Sequence, residues 1–569
     1  MTVWPFTITA AIVITWLLSH LILITLAFIL AAGIAVAVSW RRTIGSDDQV
    51  TRTYWRIKWY LRPGPGFAGW AELTFRWGRT RAVMQGGRYR PSVPFWARMF
   101  QPTTNCAVRL GRAQFGRRPW ARGESPMLVH GPTGAGKTGF LAETAIPHAG
   151  PQVNITTRDD MFRYCGALRA MRAGGSLRLA ASCSVNEPPV LVLNPMNVAG
   201  IPSNLRWSLV KGCADPVTAN RRASALTGAG HHHGGDLDHW IQKATTLISA
   251  CLMAADLSGV HTIEDVAGWI DRYGRAVPER IVRSNPRANK RLRAALMAAG
   301  PTTRTVEGVR STAANALAFT TIPSIVAAVS PEPGTENFDP FEFVRSNRTV
   351  FMIVQDTGEA STTAGIFTAL FAEIHFAALI EGSKMGRLDP PLSLNVDEAT
   401  NAITFNLPAL ASDSRGRGER LTIGIQGYWQ AVQAWGEAGA ETLWQNCTTK
   451  IMLRNTTEAG FGDRISGLCG PTGHGEDKRQ VVPAEFVRML PDNRALVIRE
   501  NLRPVVVRLR NAWERRDVKR TPRLVLPQPV RLEGVATVTE PLTTWQPAQL
   551  PADSGNGHSA STGNGARHD

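Results

Sequence analysis

At 569 residues the chain exceeds what one hydrophobic core organises, so two or three domains are expected. Its apolar share of 44 % is that of a globular protein and excludes wholesale disorder. The formal charge of +18 favours a polyanionic partner, nucleic acid or an anionic membrane face, while seven cysteines without a C-x-x-C pair argue against a disulfide framework or a structural zinc site.

The run from Trp4 to Trp40 contains no Lys, Arg, Asp or Glu. A spanning helix needs about 20 apolar residues, so this run overshoots a bilayer as one straight helix. It is read as two short passes turning near Ser19-His20, with one long tilted helix as the alternative. No positive charge precedes it, which speaks against a cleaved signal. Arg41 and Arg42 follow at once and belong in the cytoplasm by the positive-inside rule. From Arg41 to Ser125, seventeen Lys/Arg stand against four Asp/Glu, interleaved with Trp55, Trp59, Trp70, Trp77 and Trp96. Such a stretch suits anionic lipid headgroups, a DNA path or a solvated face.

Apolar runs then alternate with helical stretches. Strands are predicted at Met127–His130, Gln152–Thr156, Val190–Leu193, Thr349–Gln355, Leu392–Val396, Leu421–Ile425 and Thr449–Leu453. Near-continuous apolar strands separated by helices predict an α/β domain with a parallel sheet. Between about Thr218 and Pro331 the alternation gives way to helical spacing (Ile241, Ala244, Leu247, Ile248, Cys251, Leu252), an all-helical insertion. Thr262 with Asp265 reads as a capping box. His231-His232-His233, flanked by glycines, cannot turn three imidazoles toward one ion and is read, with His239, as a loop rather than a metal site. The Gly/Ser/Asn-rich end from Pro551 is read as disordered.

Gly131-Pro132-Thr133-Gly134-Ala135-Gly136-Lys137-Thr138 matches the phosphate-binding loop in full, between an apolar strand and a helical stretch. Glycines let backbone N–H groups wrap phosphates at a helix N-terminus. Lys137 should reach the β- and γ-phosphates of ATP, and the Thr138 hydroxyl should ligate Mg²⁺. Leu392–Val396 ends in Asp397-Glu398, which supplies a second contact to the metal (Asp397) and a general base or positioner of the attacking water (Glu398). Arg415 and Arg417, in Ser414-Arg415-Gly416-Arg417-Gly418, lie just before the next strand, and Gln426 closes it. On spacing alone the Arg-Gly-Arg loop is more often a solvated turn.

Taken with Asn401, Leu407-Pro408 and Asn446-Cys447-Thr448-Thr449-Lys450, the segment from Asp397 to Gln426 resembles the TraG/TraD family of type IV secretion coupling proteins. Thr156-Thr157-Arg158-Asp159-Asp160, Leu205-Arg206-Trp207-Ser208 and Gly308-Val309-Arg310-Ser311-Thr312 are similar to family motifs too, with Arg158 where lysine is commoner. The resemblance spans roughly Pro63 to Leu509. It implies a RecA-like nucleotide-binding domain, a membrane-distal helical domain that meets cargo, a transmembrane anchor in the cytoplasmic membrane and a homohexamer around a channel. It also implies Arg415 as the arginine acting on a neighbouring subunit, Arg417 as the fallback, and Gln426 as γ-phosphate sensor. The cargo would be DNA, single-stranded and linked to a relaxase, delivered to a type IV secretion channel. The extracytoplasmic loop common in the family has almost no counterpart here.

The boundaries expected are 1–42 for the anchor, 43–125 for the basic juxtamembrane region, 126–217 and 332–525 for the two parts of the RecA-like domain, 218–331 for the helical insertion and 526–569 for the tail. Two other readings compete: a double-stranded DNA pump of the FtsK type, and a nucleotide-binding receptor that recruits protein substrates. Intact Lys137, Thr138, Asp397 and Glu398 weigh against the second.

Overall fold

Strands that bury both faces have to sit in the middle of a covered sheet, and the apolar runs of this chain do so. The computed structural model describes residues 4–43, 54, 56–58, 64–174, 188–228, 236–271, 276–298, 304–354, 361–474, 478–524 and 526. Its strands are β1 (Ala107–Arg109), β2 (Trp120–Arg122), β3 (Met127–His130), β4 (Gln152–Thr156), β5 (Val190–Leu193), β6 (Thr349–Ile353), β7 (Leu392–Val396), β8 (Glu419–Ile425), β9 (Thr449–Leu453), β10 (Pro471–Thr472), β11 (Arg479–Gln480), β12 (Arg494–Arg499) and β13 (Val505–Arg508). Nine of them form one sheet in the order β13-β12-β9-β3-β8-β7-β4-β6-β5. The seven from β9 to β5 are parallel, and β12 and β13 add an antiparallel edge.

All seven predicted strands are present, with β8 beginning two residues earlier, at Glu419, and β6 ending at Ile353. Gln355 lies outside the described residues. Every residue of β3 to β9 is buried. The helix Ser361–Lys384 is apolar enough over Thr363–Lys384 to cross a membrane, but 78 % of it is buried in the protein. It is therefore a core helix, apolar on all sides because protein surrounds it on all sides.

Between β5 and β6 every regular element described is helical, from Pro216–Leu226 to Pro323–Val329 and Pro340–Arg345. The 23-residue helix Asp236–Ser258 is the hub on which Pro216–Leu226, Ile263–Asp271, Ala276–Ser284, Lys290–Ala298 and Arg304–Leu317 pack. Asp265 accepts a hydrogen bond from the Thr262 backbone N–H at 2.8 Å, opening the helix Ile263–Asp271. Two arginines tie the insertion to the sheet domain: Arg221 Nε and Arg222 Nη2 reach the buried Glu373 at 2.7 and 3.3 Å. His231, His232 and His233 lie outside the described residues, as does nearly all of the segment after Leu524.

The N-terminal segment corrects the two-pass expectation. It is one unbroken helix, Trp4–Thr43, of which Thr15–Val38 is long and apolar enough to span a membrane. Ser19 and His20 do not make a turn. The Ser19 hydroxyl donates to the Trp16 carbonyl at 2.8 Å, and His20 Nδ1 meets the same carbonyl at 2.8 Å. Both polar side chains are satisfied inside the helix, so nothing there breaks it. A single pass puts the two ends of this helix on opposite sides of a membrane.

Candidate nucleotide site

The site is assembled where β3, β8 and β7 end side by side. β3 leads into the loop Gly131–Gly136, and the helix Lys137–Ala145 follows. The loop can close so tightly because Gly134 and Gly136 adopt φ of 77° and 102°, a left-handed conformation that costs a side-chain-bearing residue dearly. Lys137 Nζ donates to the Gly131 and Pro132 carbonyls at 2.8 and 3.2 Å. Burial lowers its affinity for a proton, and the charges of Asp397 and Glu398 work against that shift.

Asp397 stands at the end of β7, one strand removed from β3, with β8 between them. The Thr138 hydroxyl donates to Asp397 Oδ2 at 2.5 Å across 259 residues of sequence. Asp397 is only 3 % exposed, and burial raises its pKa, aided by Glu398 and opposed by Thr138 and Lys137. Two oxygens, one hydroxyl and one carboxylate, thus meet beside a buried ammonium. That is a fitting pair of contacts for a hard divalent cation that keeps most of its water. No cluster of three or more metal-ligating side chains occurs among the described residues.

Glu398 takes φ 51° and ψ 50°, an unusual conformation for a non-glycine residue and of the kind that persists where the surrounding structure fixes it. Its Oε2 accepts from the Thr157 hydroxyl at 2.8 Å, which joins the end of β4 to the end of β7. Gln426 follows β8, and its Oε1 accepts from the Thr133 hydroxyl at 3.3 Å. The structure therefore gathers Lys137, Thr138, Asp397, Glu398 and Gln426 around one loop.

Arg415 and Arg417 are elsewhere. They close the helix Leu407–Arg417, which precedes the start of β8. Seven residues of strand at about 3.3 Å each put them roughly 20 Å from the Gln426 end. Arg415 Nη2 contacts Glu124 at 3.4 Å, and Arg417 pairs with Asp413 one helical turn back. Neither can serve its own subunit's loop.

One group that belongs to this site was not singled out in the sequence. Glu458, in the loop after β9, accepts from the backbone N–H groups of Tyr428 and Trp429 at 2.8 and 2.6 Å, capping the helix Tyr428–Asn446. Its Oε2 also lies 3.5 Å from Nε2 of the buried His130, the residue immediately before the loop. Burial disfavours the Glu458 carboxylate, but His130 and the two amides outweigh it and hold the pKa below the ordinary value. The available signal was positional, a carboxylate just past the strand beside β3. Glu458→Ala is expected to cost about 1–2 kcal/mol of stability as a lost cap, read by urea unfolding. Glu458→Gln should lose less than half of that.

Residues 391–481 match the family model described as the TraM recognition site of TraD and TraG, a segment that holds Asp397, Glu398, Arg415, Gln426 and Lys450. The resemblance to the type IV coupling proteins holds. No curated protein matches the sequence significantly. Among solved structures, the chain is similar to the bacterial conjugative coupling protein TrwBdeltaN70 in its unbound form, with 15 % identity, a TM-score of 0.53 and coverage of 76 % of this chain and 92 % of that one. It is also similar to TrwB in complex with ADP and Mg²⁺ (17 % identity, TM-score 0.52, covering 68 % and 85 %) and with a non-hydrolysable ATP analogue (16 %, 0.51, 69 % and 87 %). This chain shares the fold of those coupling-protein structures, here a RecA-like sheet domain with a helical insertion between β5 and β6.

Proposed function

We propose that this chain is the membrane-anchored, homohexameric ATPase of a conjugation-type secretion apparatus, coupling ATP hydrolysis to movement of DNA toward the channel. The observation that carries this reading is the 2.5 Å contact of Thr138 with Asp397, in the first turn of the helix after the loop, while Gln426 touches the loop itself at Thr133. Each residue has a defined task. The loop amides and Lys137 hold the phosphates, and Thr138 with Asp397 hold the cation. Mg²⁺ would neutralise charge on the phosphate oxygens. Glu398, braced by Thr157, orients and deprotonates the water, and Gln426 reports the γ-phosphate to β8 and the helix after it. Arg415 completes the site of the neighbouring subunit. The basic character of the chain suits backbone contacts that ignore base sequence, so the cargo is a strand gripped by its phosphates, single-stranded and carrying its relaxase. The helix Trp4–Thr43 holds the assembly in the cytoplasmic membrane with the ATPase domain on the cytoplasmic side.

The test is steady-state ATP turnover of the full chain in detergent, with and without single- or double-stranded DNA, beside Lys137→Ala. Turnover raised by single strands and abolished in the variant supports the coupling-ATPase reading. Stronger stimulation by duplex would replace it with a double-stranded DNA pump. Nucleotide binding by a hexamer that never turns over would replace it with a receptor.

A further inference from the structure

Away from the phosphate loop, a cavity of about 320 Å³ opens where β1 meets the edge strand β13. Arg109, Arg112, Arg118, Arg508 and Arg510 line it, against a single carboxylate, Glu514. The backbone fixes its floor: Arg112 and Arg508 pair across the strands, each N–H donating to the other's carbonyl at 2.9 and 2.7 Å. Arg109 is tied to Glu143, but that buried carboxylate is shared with Arg515 at 3.1 Å. Among the described residues, Arg112, Arg118, Arg508 and Arg510 have no carboxylate within ion-pair distance. Burial lowers the proton affinity of Arg109, Glu143 opposes that, and Arg510 and Arg118 add to it by repulsion.

Guanidiniums crowded in this way call for anionic oxygens, which they bind in a fork geometry. Five guanidiniums, each carrying five N–H donors, line this one cavity and offer more than a single phosphate can accept, so more than one phosphate is called for. Asn511 and Trp513 press against Gly139, where an added Cβ would come within 2.6 Å of Asn511 Oδ1. Arg109 grips the following helix at Glu143, about 9 Å beyond Lys137.

We infer that this cavity is a second anion site, separate from the ATP site, that grips successive backbone phosphates of a nucleic-acid strand. The inference rests on the DNA-translocating reading above. It assigns these arginines to positioning the strand on the body of the protein, without base readout.

The experiment is equilibrium binding of a fluorescent single-stranded oligonucleotide to the full chain in detergent, across a salt series, for wild type and Arg112→Ala/Arg118→Ala. Both arginines are exposed, and neither is bonded through its side chain to the ATP site. Loss of two phosphate contacts should flatten the slope of log K against log salt by about 1.4 and weaken binding roughly 20-fold at ~0.1 M salt. Basal ATP turnover and its KM should be unchanged, which also checks folding. An unchanged slope and affinity would overturn the inference. So would a raised KM for ATP with DNA binding intact, which would assign the cavity to the nucleotide. A loss confined to binding of phosphatidylserine vesicles would assign it to lipid. A wild-type protein that turns over ATP but binds no DNA would instead sink the underlying reading.

Discussion

Arg415→Ala should lower kcat for ATP by about 10³-fold while leaving nucleotide affinity nearly unchanged, the scale on which arginine fingers act. The reason is positional. Arg415 stands just before the start of β8 and the loop-facing Gln426 just past its end, at opposite ends of one central strand. An arginine so placed is out of reach of its own loop, and the role proposed for it is on another copy's site. Mixing supplies the decisive measurement. Arg415→Ala subunits keep an intact loop, and Lys137→Ala subunits keep an intact arginine, so mixed rings contain some complete sites. Turnover of the mixture above the sum of its parts is expected. A mixture no more active than either variant, or a fully active Arg415→Ala protein, would refute the assignment. Arg417→Ala, the fallback, serves as comparison and should cost far less.

The second large effect concerns the water. Glu398→Gln keeps size and hydrogen bonding but removes the base, and should reduce kcat by about 10²–10⁴-fold. The variant should still bind ATP, because Lys137, Thr138 and Asp397 are untouched. Single-turnover kinetics separate these steps: normal binding followed by almost no phosphate release is expected. Lost binding would make Glu398 a structural support of the loop through Thr157 rather than the base.

Much of this was legible in the sequence because the central strands are buried on both faces, and such strands must be written as apolar runs. β12 and β13 escaped the same reasoning. They form the edge, and their apolar runs are short, bounded by Arg494 and Arg499 in β12 and ended by Arg508 in β13. The phosphate loop and Asp397-Glu398 could be read since their chemistry is local to a few consecutive residues. Glu458 and His130 could not, because only the β3–β9 pairing brings them together over more than 300 positions. The anchor was misjudged for another reason. A length argument about bilayers does not say where a helix breaks, and Ser19 and His20 bond within the helix rather than ending it.

That unbroken helix has a mechanical side. Forty residues rise about 60 Å, twice a hydrocarbon core of about 30 Å. On one flank sit Arg41 and Arg42, each costing about 2.5–3.5 kcal/mol to draw into the bilayer centre. On the other, back to Trp4, no charged side chain offers any resistance. In the anchored reading, sliding one way meets a stop, and sliding the other exchanges one apolar turn for the next. The anchor is a one-sided bearing: its depth follows membrane thickness, and a load pulling the cytoplasmic domain toward the bilayer is resisted far more than a load pushing it away.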